Sequence, residues 1–242
     1  MCAVIIYQMG KVGSSTLKES LAQKNISALH IHRYYFSNNE KPINLRRLIH
    51  KLKSNFTFNK LIKKEKIKII TLYRDPLSRN ISSFFQNLDV YFTKSEMENL
   101  TFKKLENKFN SASNLIETPS NWFDIEFNKK LNVNIFDYPF NQEKGYSKFS
   151  KSNIDFFVCT TEMINNLEKE LGEFLEIDSF KIIKKNVGSE KPYASLYKEF
   201  KELYRPPLEM LNRLYDSHTV SYFYPKETIT KFKNAFISVE SN

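Results

Sequence analysis

Gln8-Met9-Gly10-Lys11-Val12-Gly13-Ser14-Ser15-Thr16-Leu17 brings glycines, a lysine and a run of hydroxyls together within a few positions. Those residue types suit an anion. Backbone N–H groups at the start of a helix point outward and carry partial positive charge. Glycine lets the backbone approach a phosphate closely, the hydroxyls add donors, and Lys11 adds a full charge. The spacing is not that of a Walker A loop, in which Lys and Ser/Thr follow the second glycine. Here Lys11 precedes Gly13 and no lysine follows it. With no clear strand ending in an aspartate for magnesium, a nucleotide kinase or NTPase is disfavoured. A plain strand–turn–helix with a solvated Lys11 is the ordinary alternative.

A second basic element runs from Tyr73 to Phe84. Arg74 offers the planar fork that grips phosphate through two donors. Ser82 follows eight residues later, two helical turns on, and Arg79 is either a further ligand or an ion-pair partner of Asp75.

These residues need elements to hold them. Ala3–Gln8 and Ile67–Tyr73 read as buried parallel strands, being short, apolar and β-branched. Ser14-Ser15-Thr16 lead into Leu17–Gln23, which reads as a helix with hydroxyl residues at its start. A second strand is expected over Ile26–Ile31 and a helix over Leu45–Ile62. Another helix should follow Arg74-Asp75, with Pro76 in its first turn. Phe156–Cys159 reads as a strand and Thr160-Thr161-Glu162 as the N-cap of a helix over Met163–Leu175. Phe180–Ile183 is a further strand candidate, and Lys198–Tyr215 a helix broken at Pro206-Pro207. The alternation predicts an α/β, three-layer, P-loop-like fold with a central parallel sheet flanked by helices. In such sheets ligands sit at the carboxyl ends of the strands, which puts Arg74 on the same edge as Lys11. Residues 1–242 read as a single domain. The stretch from about 93 to 151 is polar and irregular, contains Trp122, and reads as an insertion or lid.

The chain has 242 residues and an ordinary globular composition, with a net charge of +10. A basic balance suits a nucleotide, a polyanion, a nucleic acid or a membrane surface, and by itself does not choose. No nucleic-acid motif is present, so no nucleic-acid partner is expected. No stretch approaches the length of about 20 apolar residues that spans a bilayer, so no integral membrane segment is expected. The first apolar run is too short for a signal peptide core, and Cys2 and Cys159 resemble neither a disulfide framework nor a zinc site. A cytoplasmic protein with reduced thiols is the expectation.

The two basic motifs together resemble those of sulfotransferases that use 3'-phosphoadenosine 5'-phosphosulfate (PAPS). In that family a strand–loop–helix with Lys, Gly and hydroxyls binds the 5'-phosphosulfate. An Arg at a strand end, with a Ser eight residues on, binds the 3'-phosphate. Gly10, Lys11, Gly13, Ser14, Ser15 and Thr16 match the first motif, and Arg74 and Ser82 match the second. More narrowly, the QMGKVGSSTL start, Asn121-Trp122-Phe123-Asp124 and Tyr222-Phe223-Tyr224 resemble bacterial proteins grouped under capsular polysaccharide synthesis. The resemblance implies sulfuryl transfer from PAPS to a hydroxyl, a carbohydrate-type acceptor, 3'-phosphoadenosine 5'-phosphate (PAP) as product, and no metal.

The acceptor hydroxyl then needs a general base. His32, at the end of the second strand, is the first candidate, with Asp124 and Glu126 as rivals and His30 expected on the opposite side. Trp122 and Phe123 could stack a sugar or belong to the core. Lys184-Lys185-Asn186-Val187-Gly188 could close over the nucleotide or be a solvated basic turn. A kinase-like phosphotransferase and a non-enzymatic polyanion binder are the alternatives.

Overall fold

A computed structural model describes residues 2–35, 45–183 and 193–237. In chain order the principal elements are β1 (Ala3–Tyr7), α1 (Ser14–Gln23), β2 (Ala28–Ile31), α2 (Leu45–Leu61), β3 (Ile67–Tyr73), α3 (Pro76–Gln86), α4 (Phe102–Asn110) and α5 (Ser113–Phe123). They continue with β4 (Tyr146–Lys151), β5 (Ile154–Thr160), α6 (Glu168–Leu175), α7 (Ala194–Leu203), α8 (Leu208–Tyr215), α9 (His218–Phe223) and α10 (Lys226–Asn234). The chain divides into two compact units, residues 1–74 with 122–185 and residues 75–121 with 186–242.

The first unit is built on one sheet in the order β2-β1-β3-β5-β4. β2, β1, β3 and β5 are parallel, and β4 runs antiparallel along β5. Every residue of β3 is buried, as a central strand covered on both faces must be. Ile6 pairs with Ile70, and Ile70 with Phe157. Right-handed crossovers send α1 and α2 to opposite faces, because β1–β2 and β2–β3 connect in opposite directions along the sheet. One face carries Tyr7, whose ring meets Phe58 of α2 at 5.1 Å, Trp122 at 5.3 Å and Phe127 at 5.3 Å. On the other face Phe157 meets Phe174 of α6 at 5.3 Å.

The second unit is helical. Asp75 caps α3 by accepting the Ser78 N–H at 2.9 Å, with Pro76 in the first turn, the arrangement that Asp-Pro predicts. Tyr215 of α8 donates its hydroxyl to Asp75. Phe84, Phe85, Phe109, Phe200 and Tyr204 form an aromatic core joining α3, α4 and α7, with ring centroids 4.7–5.7 Å apart for Phe84–Phe109, Phe85–Phe200, Phe109–Phe200 and Phe200–Tyr204.

Several local expectations change. Residues 93–151 are not irregular: they contain α4, α5, a π-helical turn at Asp124–Asn128 and the edge strand β4. Phe180–Ile183 is not a strand. The N–H of Ile182 donates to Glu168 Oε1 and that of Ile183 to Ser20 Oγ, so side chains satisfy this backbone without a ladder. Thr160 ends β5, and α6 starts only at Glu168, after a 3₁₀ turn. The Thr160–Glu162 trio therefore caps no helix, and the Thr161 hydroxyl is engaged elsewhere.

Candidate functional site

The sheet order places β1 between β2 and β3, so the chain leaves β1 in one direction and β3 in the other. That reversal opens a crevice at the carboxyl ends of the strands. The loop after β1 lies there. Its backbone is unusual: Lys11 has φ 72° and Gly13 φ 90°. A left-handed lysine costs about 1–2 kcal/mol and is the kind of outlier that ligand clamps retain. At Gly13 an added Cβ would also lie 3.1 Å from Thr161 Cγ2.

Two side chains hold this loop. Thr161, just past β5, donates its hydroxyl to the Val12 carbonyl at 2.7 Å, and the same hydroxyl lies 3.1 Å from the Tyr73 carbonyl. Arg74, just past β3, donates Nη1 to the Lys11 carbonyl at 3.1 Å. In a trans peptide the C=O and the following N–H point in opposite directions. Drawing the carbonyls of residues 11 and 12 toward β3 and β5 therefore turns the N–H groups of Val12 and Gly13 the other way; Val12 is fully buried, so of the two it is half-buried Gly13 that borders solvent. α1 begins at Ser14 with Gly13 at its N-cap and no side chain capping its first turn. Outward N–H groups at an uncapped helix start are the kind of arrangement that suits an anion. Ser15 is exposed, Thr16 half-buried and Ser14 buried. An added Cβ on Gly10 would meet nothing within 4 Å, so that position borders open space.

Beside the loop, Gln8 closes the end of β1. Its N–H donates to the Ile31 carbonyl, and its carbonyl accepts from His32 Nδ1 at 3.1 Å. A carbonyl only accepts, so Nδ1 carries a proton in this contact. The Trp122 indole donates to the His32 carbonyl at 2.9 Å, tethering the residue at both ends. The Gln8 side-chain amide is fully buried and has no hydrogen-bond partner among the described residues.

His30 does not face away from His32. Residues two apart on a strand share a face, and the rings meet edge-on at 4.3 Å. Burial, with His32 and Lys18 nearby, lowers the His30 pKa to about 4, so it is neutral at pH 7. Trp122 and Phe123 are buried core residues and offer no stacking platform.

Of the rival carboxylates, Asp124 is exposed and Glu126 is buried. Glu126 sits on the π-helical turn and accepts the Tyr7 hydroxyl and the Tyr34 N–H, both at 2.6 Å. π-bulges recur at functional sites. Burial raises the Glu126 pKa, while the bonds from Tyr7 and Tyr34 oppose the rise.

The structure thus brings Gly10, Lys11, Gly13, Ser14, Ser15, Thr16, His32 and Arg74 to one edge of the first unit. Ser82 lies half-buried on α3 in the second unit, and its link to Arg74 is one of sequence spacing. In the same unit Arg79 is buried and donates to Asn80 Oδ1. Residues 184–188 lie outside the described residues. Thr161 was missed as a loop anchor because its partners are distant in sequence.

Thr161→Val preserves shape and removes the hydroxyl that holds Val12. It should lower stability by about 1–2 kcal/mol in urea unfolding and speed amide exchange in the loop. Unchanged exchange there would show that Thr161 does not hold the loop. Glu126→Gln tests the buried carboxyl. A raised acid pKa gives stability that is present at low pH and lost as pH rises through the folded-state value. The melting temperature of the variant minus that of the wild type should therefore grow as pH rises above the ordinary glutamate range. A flat or falling difference contradicts the assignment.

A family model described as "Putative capsular polysaccharide synthesis protein" matches residues 110–225, just under half of the chain. The matched span holds Asn121–Asp124 and Tyr222–Tyr224 and begins after the loop at Lys11 and after Arg74. No curated protein and no solved structure matches the chain.

Proposed function

We propose that the protein is a sulfotransferase that moves a sulfuryl group from PAPS to a hydroxyl of a carbohydrate acceptor. The observation that carries this reading is the loop after β1. Its carbonyls are held inward by Thr161 and Arg74, its N–H groups face outward, and it stands at the switch point beside Arg74 and His32.

The outward N–H of Gly13 and the first turn of α1 bind the 5'-phosphate, with Ser14, Ser15 and Thr16 adding donors. Lys11 neutralises charge on the phosphate oxygen as its bond to sulfur breaks. The acceptor oxygen bonds to sulfur, and its proton passes to His32 Nε2. Gln8 keeps the ring oriented through Nδ1. Arg74 spends one donor on Lys11, and its remaining N–H groups suit the 3'-phosphate. The buried Gln8 amide supports a ligand here, since an unsatisfied buried amide costs about 1–3 kcal/mol and is retained where something completes it. The glycan acceptor is supported by the description of the family model that matches residues 110–225. Cytoplasmic action suits Cys2 and Cys159, both present as thiols.

The Lys11 position argues against a P-loop kinase, as does the use of Asp75 as a helix cap. The test is thermal melting with PAP, without magnesium, and with ATP as control. PAP at about 100 times its dissociation constant should add about 2.7 kcal/mol of apparent stability. The shift should be lost in Lys11→Ala and Arg74→Ala. Sulfate transfer from PAPS should fall about 100-fold or more in Lys11→Ala. No shift at millimolar PAP, or a shift only with ATP and magnesium, overturns the proposal in favour of a phosphotransferase or a plain binder.

A further inference from the structure

α2 packs on the first unit through one side. Phe58 is fully buried, Asn55 Nδ2 donates to the Tyr34 carbonyl at 2.9 Å, and Lys51 Nζ donates to the Tyr35 carbonyl at 2.8 Å. A different side carries Leu45, Ile49, Leu52 and Phe56, exposed by 70%, 45%, 53% and 74%. Single exposed apolar residues need no explanation, but an aligned set does. At about 100° per residue these four fall within an arc of about 60°, forming one stripe along the helix.

Charge identifies what the stripe fits. Lys53 and Lys60, exposed and seven residues apart, fall in the next arc of about 20°, along one flank of the stripe. Arg47 and Lys51 are also basic, and no Asp or Glu occurs between Leu45 and Leu61. Lys63, Lys64 and Lys66 follow and are exposed, with Glu65 the lone acid among them. A second copy of this chain would set one basic helix against another with no acidic partner at the flanks, where paired helices carry complementary charges. A negatively charged lipid surface complements both features. It accepts apolar side chains at the headgroup boundary and attracts lysine and arginine beside them.

We propose that α2 is an interfacial helix that docks the protein on an anionic lipid bilayer. Leu45, Ile49, Leu52 and Phe56 insert, and Lys53 and Lys60 meet the headgroups. The helix lies in the plane of the surface and does not cross it. Among the described residues no helix is long and apolar enough to span a membrane. The assignment is independent of what the loop at Lys11 binds.

Flotation of the intact chain with lipid vesicles tests it. The probes are phosphatidylcholine alone and phosphatidylcholine with about one-third phosphatidylglycerol. The protein should float with the mixed vesicles, bind phosphatidylcholine at least about tenfold more weakly, and lose binding in high salt. Leu52→Ser/Phe56→Ser and Lys53→Glu/Lys60→Glu should each weaken binding about tenfold or more. Both doubles should keep the wild-type melting temperature, since the side chains are exposed. The doubles alter different groups, so a folding defect in one leaves the other decisive. Absence of flotation with mixed vesicles overturns the proposal, as does flotation that neither double weakens. A dimer in light scattering that Leu52→Ser/Phe56→Ser abolishes, without vesicle binding, would assign the face to a second copy and overturn it equally.

Discussion

The strand-end edge of the first unit depends on two carbonyls, those of Lys11 and Val12, being held inward. Left alone, a loop with left-handed residues at Lys11 and Gly13 has no reason to keep one orientation, because the strain at Lys11 favours its relaxation. Thr161 and Arg74 remove that freedom from outside the loop. Each comes from the residue just past a neighbouring strand, so the sheet register fixes where they stand. β3 and β5 pair Tyr73 with Thr160, which sets Arg74 and Thr161 side by side. The outward N–H groups follow from peptide geometry once the carbonyls are fixed.

The opposite side of the edge is organised by burial. Tyr7, Trp122, Phe123 and Phe127 fill the α2 face of the sheet. The π-helical turn lets Glu126 reach the Tyr7 hydroxyl from inside that packing. The Trp122 indole closes the same region onto the His32 carbonyl. One aromatic cluster thus supports the histidine, while a separate pair of polar anchors supports the loop. The two meet at Gln8, whose carbonyl takes the His32 proton donor and whose chain runs directly into the glycine loop.

How far this was legible varied with the physics of each element. β3 and α3 were readable because a strand buried on both faces is a continuous apolar run and because Asp-Pro marks a helix start. β4 was not, since an edge strand reading Tyr-Ser-Lys-Phe-Ser-Lys buries few of its side chains and offers no apolar run. Phe180–Ile183 misled in the other direction, being apolar but satisfied by Glu168 and Ser20. Thr161 looked like a helix cap because hydroxyls near a helix usually are. Its true partners, 149 and 88 residues away, leave no local signal. The strand end at His32 was legible from the apolar run before it, whereas the burial of Glu126 appears only once Tyr7 and Tyr34 surround it.

The central claim is that the outward N–H groups of the β1–α1 loop are an anion site for a 3',5'-bisphosphorylated nucleoside. Hydrogen exchange with and without PAP tests it most directly. The account predicts slowed exchange at the amides of residues 12–16 on adding PAP, with the effect lost in Arg74→Ala. Unchanged exchange across those amides at saturating PAP, or protection confined to other segments, would contradict it.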